Sequence, residues 1–448
     1  MGENMNRREF VKFVAAGVAT LLGHGQAGAR SRAVGKPNII LIMADDLGYG
    51  DIGCYGSTKI KTPNIDALAG GGMKFTDYHS NCPVCSPTRA ALLTGRYQQR
   101  SGIEGVVYAK GPTRQTGLAL EETTFAEVLK KRGYATALFG KWHLGYNVEF
   151  NPVRQGFDEF RGYVSGNVDF HSHIDGAGFD DWWKNLEKIP EEGYTTDLIT
   201  RHGVDFIERH KDEPFCLYLP HEAPHSPYQG RNDPPERLPD GKKGRKAKGP
   251  EITRAYKEMV EVMDEGIGRI VETVRRLGLE RKTFIFFCSD NGATRQGSNG
   301  ALSGYKGSLW EGGHRVPAVA YWPGRIRPGT TTGQTVLGMD LYATMVSIAG
   351  AKLPAGLRLD GVDLLGVLTE HEKLPQRTLF WRYRKERAVR RGPWKLLVRD
   401  NETTLYNLDE DPGEKNDLVR TKPRMLKRLE DELAAWEREV SAGVILRA

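Results

Sequence analysis

Four short apolar runs recur along the first two thirds of the 448-residue chain, and each ends in polar residues. The runs cover 37–43, 134–139, 214–219 and 283–288. They are apolar at consecutive rather than alternate positions, which is typical of strands buried on both faces of a sheet. The pattern therefore predicts a central sheet that is covered on both sides.

Segments with helical periodicity lie between these runs, at 125–131, 194–210 and 252–277. Alternating strands and helices predict a mostly parallel sheet, because parallel strands need crossover connections that place helices on both faces. Such sheets bind ligands just outside the carboxyl ends of their strands. We therefore expect the polar residues that follow the strands to form one site.

The last part of the chain follows a different pattern. Three short apolar segments and one charged helical segment make it up: 379–383, 394–398, 404–406 and 423–440. Short strands followed by a helix are typical of a small antiparallel sheet packed on that helix. The pattern predicts an α/β domain over 30–372 and an α+β subdomain over 373–448.

Residues 1–29 resemble an export signal. The sequence NRREFVK at 6–12 precedes an apolar run, and Ala-Gly-Ala at 27–29 offers a cleavage site. The paired arginines resemble a twin-arginine signal, and a general secretory signal is the alternative. Because the run is too short to span a bilayer, we expect no stable membrane insertion. We expect the twin-arginine export machinery to deliver the protein to the periplasm or the extracellular space.

The charge balance favours an anionic partner, since the formal net charge is +7. Part of this charge comes from the basic run at 242–248. That run has no interleaved aromatic residues and matches no nucleic-acid-binding module. We interpret it as a surface loop and expect no nucleic-acid partner.

The most specific chemistry lies at 82–96, which reads CPVCSPTRAALLTGR. Cys85 precedes an apolar run that predicts a helix, and Pro87 is suited to start that helix. Arg89 follows about one turn later, so its guanidinium can point back towards position 85. Cys82 and Cys85 also form a Cys-x-x-Cys pair, which is typical of a redox site or of half a zinc site. Neither alternative explains Arg89, and the chain has no second such pair.

Acidic residues follow the first and the fourth apolar runs. Asp45 and Asp46 come directly after the first run, and Asp290 and Asn291 come after the fourth. Each pair alone is typical of a cap or a turn. Together they offer three carboxylates and an amide oxygen, which suit Ca²⁺ or Mg²⁺ rather than zinc.

Basic residues follow the other two runs. Lys141 and His143 come after the second run, and they project to the same side if the chain stays extended there. His225 follows the third run, and Lys306 stands in a glycine-rich segment further on. These residues join the acidic ones in the single predicted site.

The motifs, taken in order, resemble the type I sulfatases of the alkaline phosphatase superfamily. The resemblance rests on Cys-x-Pro-x-Arg with Leu-Thr-Gly-Arg, on Gly-Lys-Trp-His-Leu-Gly at 140–145, on Ala-Pro-His-x-Pro at 223–227 and on Lys306. It runs from about residue 37 to residue 414. It implies a large mixed, mostly parallel sheet sandwiched by helices, with a small C-terminal antiparallel sheet plus helix.

The resemblance also implies a modified cysteine. In this family a formylglycine-generating enzyme oxidises the cysteine to Cα-formylglycine (3-oxoalanine), whose hydrate attacks sulfur. The resemblance implies that modified Cys85 and four other residues hold Ca²⁺: Asp45, Asp46, Asp290 and Asn291.

Roles for the basic residues follow from the same resemblance. It implies that Lys141, Lys306 and Arg89 neutralise the sulfate oxygens. It implies that His225 protonates the leaving alcohol and that His143 accepts a proton when sulfate is expelled. The expected activity is therefore that of a sulfuric ester hydrolase acting on a sulfated glycan or a small sulfate ester.

Two alternatives remain open at this point. One is a phosphonate or phosphate monoester hydrolase of the same superfamily, since both substrates are tetrahedral oxyanions. The other is a non-catalytic binder of sulfated glycans, in which Cys85 stays unmodified. The polar loop at 161–181 is interpreted either as the lining of a sugar pocket or as a structural loop. Cys216 and Cys288 lie within apolar runs and are expected to be buried free thiols.

Overall fold

The computed structural model describes residues 35–441, so the predicted export signal at 1–29 lies outside the described residues. The described residues from Lys36 onward belong to one compact unit. The division at residue 372 stays a prediction. Within 35–441, no helix combines the length and the apolar composition needed to cross a membrane.

The described chain forms sixteen strands. They are β1 (Asn38–Ala44), β2 (Met73–Phe75), β3 (Tyr78–His79), β4 (Ala135–Lys141), β5 (Glu159–Tyr163), β6 (Trp183–Lys184), β7 (Glu187–Lys188), β8 (Phe215–Pro220), β9 (Thr283–Ser289), β10 (Ala318–Tyr321), β11 (Thr330–Thr332), β12 (Val336–Leu337), β13 (Thr378–Tyr383), β14 (Glu386–Arg391), β15 (Trp394–Arg399) and β16 (Glu402–Asn407).

Nine α-helices accompany them within the described residues. They are α1 (Pro63–Gly71), α2 (Cys85–Thr94), α3 (Phe125–Lys131), α4 (Thr195–Arg209), α5 (Pro250–Arg276), α6 (Glu311–His314), α7 (Asp340–Ile348), α8 (Leu365–Glu370) and α9 (Pro423–Ser441).

Ten strands form one mixed sheet in the order β11-β2-β10-β9-β1-β8-β4-β5-β6-β7. Its centre, β9-β1-β8-β4-β5, is parallel throughout. The four apolar runs of the sequence are β1, β4, β8 and β9, and they lie side by side in this centre. Their carboxyl ends therefore meet at one edge, as the sequence predicts.

Helices cover both faces of the sheet. Alternate residues of β1 separate the two layers: Ile39 and Leu41 pack into a core with α2, α3 and α7, whereas Ile40 and Ile42 pack into a core with α1, α4 and α5. Every residue of β1 is buried because both of its faces are covered. The predicted α/β fold class is confirmed.

A four-stranded antiparallel sheet, β13-β14-β15-β16, follows near the C-terminus. Together with α9 it buries a third core, to which Cys82, Val84 and Leu309 also contribute. Of its strands, β14 has no counterpart among the predicted segments. Its sequence, ERAVRR, is mostly charged, yet Ala388 and Val389 are fully buried.

The cysteines and the basic run agree with two smaller expectations. All five cysteines are free, and Cys216 and Cys288 are buried, as predicted for these two. The basic run at 242–248 lies in a mostly exposed segment without helix, and its structure agrees with a surface loop.

Candidate active site

Cys85 is the first residue of α2, which begins two residues before Pro87, the predicted start. Val84 is extended (φ −148°, ψ 160°) and precedes the helix. Pro87 is tolerated in the first turn because the first helical N–H groups have no intrahelical acceptor. Cys85 therefore lies at the positively polarised end of a ten-residue helix, and it is only 3% exposed.

The acids after β1 and β9 converge on Cys85, as predicted. One ligand atom each from Asp45, Cys85 and Asp290 lie within 4.8 Å of one another. Asn291 donates its amide to Asp46 Oδ1 at 2.8 Å. All four polar residues from the strand ends are buried: Asp45, Asp46, Asp290 and Asn291.

Asp46 is held in an uncommon backbone conformation, with φ at 64°. A positive φ at a residue other than glycine is costly and is found most often where function requires it. The backbone N–H of Asp46 donates to Asp290 Oδ1 at 3.2 Å, which ties the end of β1 to the end of β9. This arrangement directs the two neighbouring carboxylates into the same site.

Arg89 lies behind the acids, almost fully buried. Its Nη2 donates to Asp290 Oδ2 at 2.8 Å and to Asp45 Oδ2 at 3.3 Å. Its Nη1 donates to the carbonyl oxygen of Lys141 at 3.2 Å. These contacts are with carboxylates and backbone, and Arg89 is not among the residues that line the cavity over Cys85.

The two lysines bind the two acids after β1. Lys141, fully buried, forms an ion pair with Asp45. Lys306 Nζ lies 2.5 Å from Asp46 Oδ1. Lys141 reaches the site from the end of β4, whereas Lys306 reaches it from the loop after β9, so the pair of cations is assembled only in the fold.

The two histidines occupy the same cavity. His225 Nε2 lies 3.8 Å from Asp46 Oδ2, and its Nδ1 bonds Ser226 O at 2.6 Å. His143 Nε2 bonds Val107 O at 3.0 Å, and its buried Nδ1 has no partner among the described residues. The chain is not extended from Lys141 to His143, because His143 has a left-handed backbone with φ at 59°.

Charges in the site shift the pKa values strongly. Burial alone would raise the pKa of Asp45, but Lys141, His225, Arg89 and Lys306 together lower it well below its ordinary value. Burial raises the pKa of Asp290 to about 6, and Arg89 opposes that rise.

The imidazoles respond to the same surroundings. Burial first, and then the positive charge of Lys141, lower the pKa of His143 well below its ordinary value. Burial and Lys306 lower the pKa of His225 in the same way. Both imidazoles are therefore neutral in the free protein at pH 7.

A cation fits the oxygen donors of this site. Oδ1 of Asp45 and Oδ1 of Asn291 are buried and have no hydrogen-bond partner among the described residues. Buried polar atoms are rarely left unpaired in a native fold. Two open oxygens beside the carboxylates of Asp46 and Asp290 form a hard donor set that suits Ca²⁺ or Mg²⁺.

A cavity of about 530 Å³ lies over Cys85. Among the site residues, His143, His225 and Lys306 line it. No Asp or Glu is among the described residues that line it, so an anionic group meets cationic and neutral groups there.

Several cavity residues have no role in the sequence-based interpretation. They are Tyr108, Tyr146, Tyr383 and Arg384. Tyr383 ends β13 and Arg384 follows in the turn to β14. Nothing in the sequence indicates that this turn, about 300 positions from Cys85, reaches the site.

The loop at 161–181 divides between the two open interpretations. Gly166, Asn167 and Gly176 line the cavity. Asp169, in contrast, accepts hydrogen bonds from Gln229 and from the backbone of Glu236, so it braces a neighbouring loop. The loop is thus partly lining and partly structural.

Cys82 and Cys85 are not paired in the described structure. Cys82 is fully buried in the third core, and burial raises its pKa well above the ordinary value for a thiol. Cys85 instead faces carboxylate oxygens. These surroundings fit neither a dithiol redox site nor half a zinc site.

Comparison with known proteins agrees with this geometry. The family model described as Sulfatase matches residues 37–351. A second model, described as N-sulphoglucosamine sulphohydrolase, C-terminal, matches residues 305–439. The chain therefore belongs to the sulfatase family, and it is a sulfuric ester hydrolase.

Individual relatives cover most of the chain. It is 35% identical over 404 residues to the N-acetylgalactosamine-6-sulfatase of Mus musculus, which covers 84% of this chain and 74% of the relative. It is 35% identical over 445 residues to the arylsulfatase A of Homo sapiens, with 86% and 83% covered. The crystal structure of Ps i-CgsB in complex with k-i-k-neocarrahexaose is similar, with a TM-score of 0.81, 31% identity, and 90% and 92% of the two chains covered.

Proposed function

We propose that this protein hydrolyses sulfate esters of a sulfated carbohydrate, that Cys85 is converted to formylglycine, and that Ca²⁺ is its metal. The observation that carries the proposal is the position of Cys85, beside open buried oxygens and beneath a cavity lined by cations. Two similar proteins support a carbohydrate substrate: a sulfatase named for N-acetylgalactosamine and a structure that holds a neocarrahexaose.

The metal would be held by the acids and the amide at the strand ends: Asp45, Asp46, Asp290 and Asn291. In the protein these three carboxylates face three cations, Arg89, Lys141 and Lys306. When bound, Ca²⁺ would add positive charge, and the aldehyde hydrate at position 85 would supply the nucleophilic oxygen.

The lysines and the helix end bind the sulfate group. Lys141 and Lys306 pair with the two acids after β1, and Cys85 stands at the positive end of α2, so all three add positive charge to the site. We assign Arg89 to orienting Asp45 and Asp290, since those are its observed partners. Its predicted contact with sulfate oxygens stays a prediction.

The histidines move protons. Because Nδ1 of His225 donates to Ser226 O, its Nε2 is the atom left to carry a proton to the leaving alcohol. A sulfate group bound nearby favours the protonated imidazole through its negative charge. His225 and Lys306 both lie beside the carboxylate of Asp46. Because Nε2 of His143 donates to Val107 O, its unpaired Nδ1 is free to accept a proton from the modified residue at position 85.

The first test is mass spectrometry of the peptide that contains Cys85, from protein made in its own host. A mass that matches the aldehyde or its hydrate supports the proposal, and a free thiol contradicts it. The Cys85→Ala variant is expected to lose sulfate release by about 10⁴-fold or more, since a nucleophile is removed. Cys216→Ala, which removes an equally buried thiol outside the site, is the matched control.

A comparison of esters separates sulfate from phosphate. 4-Nitrophenyl sulfate and 4-nitrophenyl phosphate share one leaving group. The ratio of their hydrolysis rates therefore reports the preferred oxyanion. We expect sulfate to be preferred, because the donor set is a hard oxygen site whose acids pair with two lysines. A preference for phosphate would favour the phosphate monoester hydrolase.

We further propose that a formylglycine-generating enzyme and the twin-arginine machinery act on this chain. The proposal rests on the motif at 82–96 and on the paired arginines at 6–12. The twin-arginine route carries folded proteins, so oxidation of Cys85 is expected to precede export. Exported protein that contains only unmodified cysteine would contradict this order.

A further inference from the structure

A second cavity of about 530 Å³ adjoins the one over Cys85. The two cavities share Lys306 and Gly307, which line both. Lys306 therefore stands at the boundary, with the reacting position on one side and the second cavity on the other. Nothing in the proposed mechanism uses the second cavity.

The second cavity is basic. Arg295 and Arg399 line it together with Lys306, and no Asp or Glu is among its described lining residues. Both arginines are exposed, and neither has a carboxylate within 4.0 Å among residues 35–441. Arg254, in contrast, is also exposed but pairs with Asp233 and Glu258. The two cavity arginines thus keep their charge available for a ligand.

Aromatic rings orient both arginines. The guanidinium carbon of Arg295 lies 5.7 Å from the centre of the Tyr305 ring. That of Arg399 lies 5.6 Å from the centre of the Trp310 ring. A guanidinium stacked on a ring loses less conformational entropy when it binds an anion, and its planar fork suits sulfate and carboxylate oxygens.

The C-terminal sheet supplies one side of this cavity. Arg399 is the last residue of β15, whereas Arg295 and Tyr305 belong to the loop that follows Asp290 and Asn291. The cavity is therefore built where the loop that carries Lys306 meets the C-terminal sheet. That position allows one extended ligand to contact both the reacting site and the second cavity.

We propose that the second cavity is a subsite for another anionic unit of the same glycan, a sulfated or uronic sugar next to the one whose ester reacts. The proposal rests on the proposed function, because it takes the reacting group to be a sulfate ester of a sugar. The subsite makes the protein select oligosaccharides with at least two anionic groups over small sulfate esters.

The test uses competition with a small reporter. Hydrolysis of 4-nitrophenyl sulfate is measured while neocarrahexaose is added as a competing ligand. In the Arg295→Gln/Arg399→Gln double variant, we expect the inhibition constant of the hexasaccharide to rise about 10-fold or more, since each lost charged hydrogen bond weakens binding. The kcat/KM of this double variant for 4-nitrophenyl sulfate is expected to stay within about twofold of the parent value, because neither arginine contacts the reacting site.

A matched control separates this subsite from general attraction of anions. Arg325 is exposed and stacks on Trp322 at 5.3 Å, Arg327 is exposed, and neither lines either cavity. Arg325→Gln/Arg327→Gln removes the same charge and should leave the inhibition constant unchanged. An equal rise in both double variants would overturn the proposal, as would no rise in the first.

A binding measurement distinguishes failure of the subsite proposal from failure of the proposed function. Titration calorimetry with the Cys85→Ala protein measures binding of neocarrahexaose and of a hexagalacturonate, which carry sulfate and carboxylate groups respectively. If either probe binds, and if the Arg295→Gln/Arg399→Gln substitutions weaken that binding about 10-fold, the result supports the subsite and identifies the anion. No binding of either probe, or equal binding with and without the arginines, overturns it. Absence of sulfate release from the parent enzyme would instead contradict the proposed function.

Discussion

Two buried charge clusters in this protein differ in how completely they are paired. The site cluster comprises six residues: Asp45, Asp46, Arg89, Lys141, Asp290 and Lys306. The support cluster lies where β3 and α6 meet the C-terminal sheet, and it comprises seven residues: Asp77, His79, Glu311, His314, Arg390, Lys395 and Glu414.

Each acid of the support cluster has a cation within 3.0 Å. Arg390 binds both oxygens of Asp77, each at 2.8 Å. Lys395 Nζ lies 2.9 Å from Glu311 Oε1 and 2.8 Å from Glu414 Oε1. Arg315 adds a third cation, 3.5 Å from Asp77 Oδ1 and 3.4 Å from Glu311 Oε2, so three cations face the three acids of this cluster. One ligand atom from each of His79, Glu311 and His314 lies within 4.8 Å of the others. We infer that the support cluster ties β3 and α6 to the C-terminal sheet.

The site cluster leaves oxygens of Asp45 and Asn291 open and adjoins a cavity. A closed set of buried charges holds structure together, because every desolvated group has its partner. An open set binds something from outside, because its unpaired atoms gain most from a new partner. The comparison predicts that equivalent substitutions affect stability in one cluster and catalysis in the other.

The largest effect on stability is expected from Lys395→Met. It leaves Glu311 and Glu414 buried without their shared cation, which costs about 3–5 kcal/mol of unfolding free energy. Urea unfolding measures the loss, and sulfate release per folded molecule should be retained. Lys352→Met, which removes an exposed lysine, is the control. Equal stability of both variants would contradict the structural role of the cluster.

The counterpart in the site cluster is Lys306→Ala. We expect kcat/KM to fall about 10²–10³-fold, because a positive charge at the sulfate oxygens is lost. The unfolding free energy should change far less than in Lys395→Met. Steady-state kinetics and urea unfolding on the same preparations check both parts. A variant that is unstable but fully active per folded molecule would reverse the comparison.

Metal removal tests the open oxygens. Dialysis against a chelator should abolish activity, and Ca²⁺ at 100-fold excess over its dissociation constant should raise the unfolding free energy by about 2.7 kcal/mol. Asn291→Ala removes one open oxygen and should weaken this stabilisation, which thermal unfolding with and without Ca²⁺ measures. The prediction fails if Ca²⁺ stabilises Asn291→Ala as much as the parent.

The smallest effect concerns pH and Glu414. Burial raises the pKa of this carboxyl from 4.5 to about 7, although Lys395 opposes the rise. Between these values the folded protein keeps a proton that the unfolded chain has lost, so this group lowers stability as pH rises from 4.5 to 7. Glu414→Gln should remove this fall from the pH profile of unfolding. Identical profiles for parent and variant would contradict it.

Much of the fold is predictable from periodicity. The four apolar runs become β1, β4, β8 and β9 with bounds shifted by one or two residues. The shorter strands of the large sheet, such as β2, β5 and β10, have no counterpart among the predicted segments. In the C-terminal sheet the same holds for β14, whose charged sequence hides two buried residues, Ala388 and Val389. Its Arg390 is buried only because Asp77, about 310 positions earlier, binds it. No local pattern carries information about such a distant partner.

By itself, the sequence determines which residue types stand at the strand ends. Buried parallel strands are recognisable locally, and chain topology places their carboxyl ends at one edge. The tertiary structure alone decides which atoms remain open and what surrounds them. It orients Arg89 towards carboxylates, gives His143 a left-handed backbone, and brings Arg384 and Arg399 from the C-terminal sheet to the two cavities. These outcomes depend on packing between distant segments, which composition and periodicity do not encode.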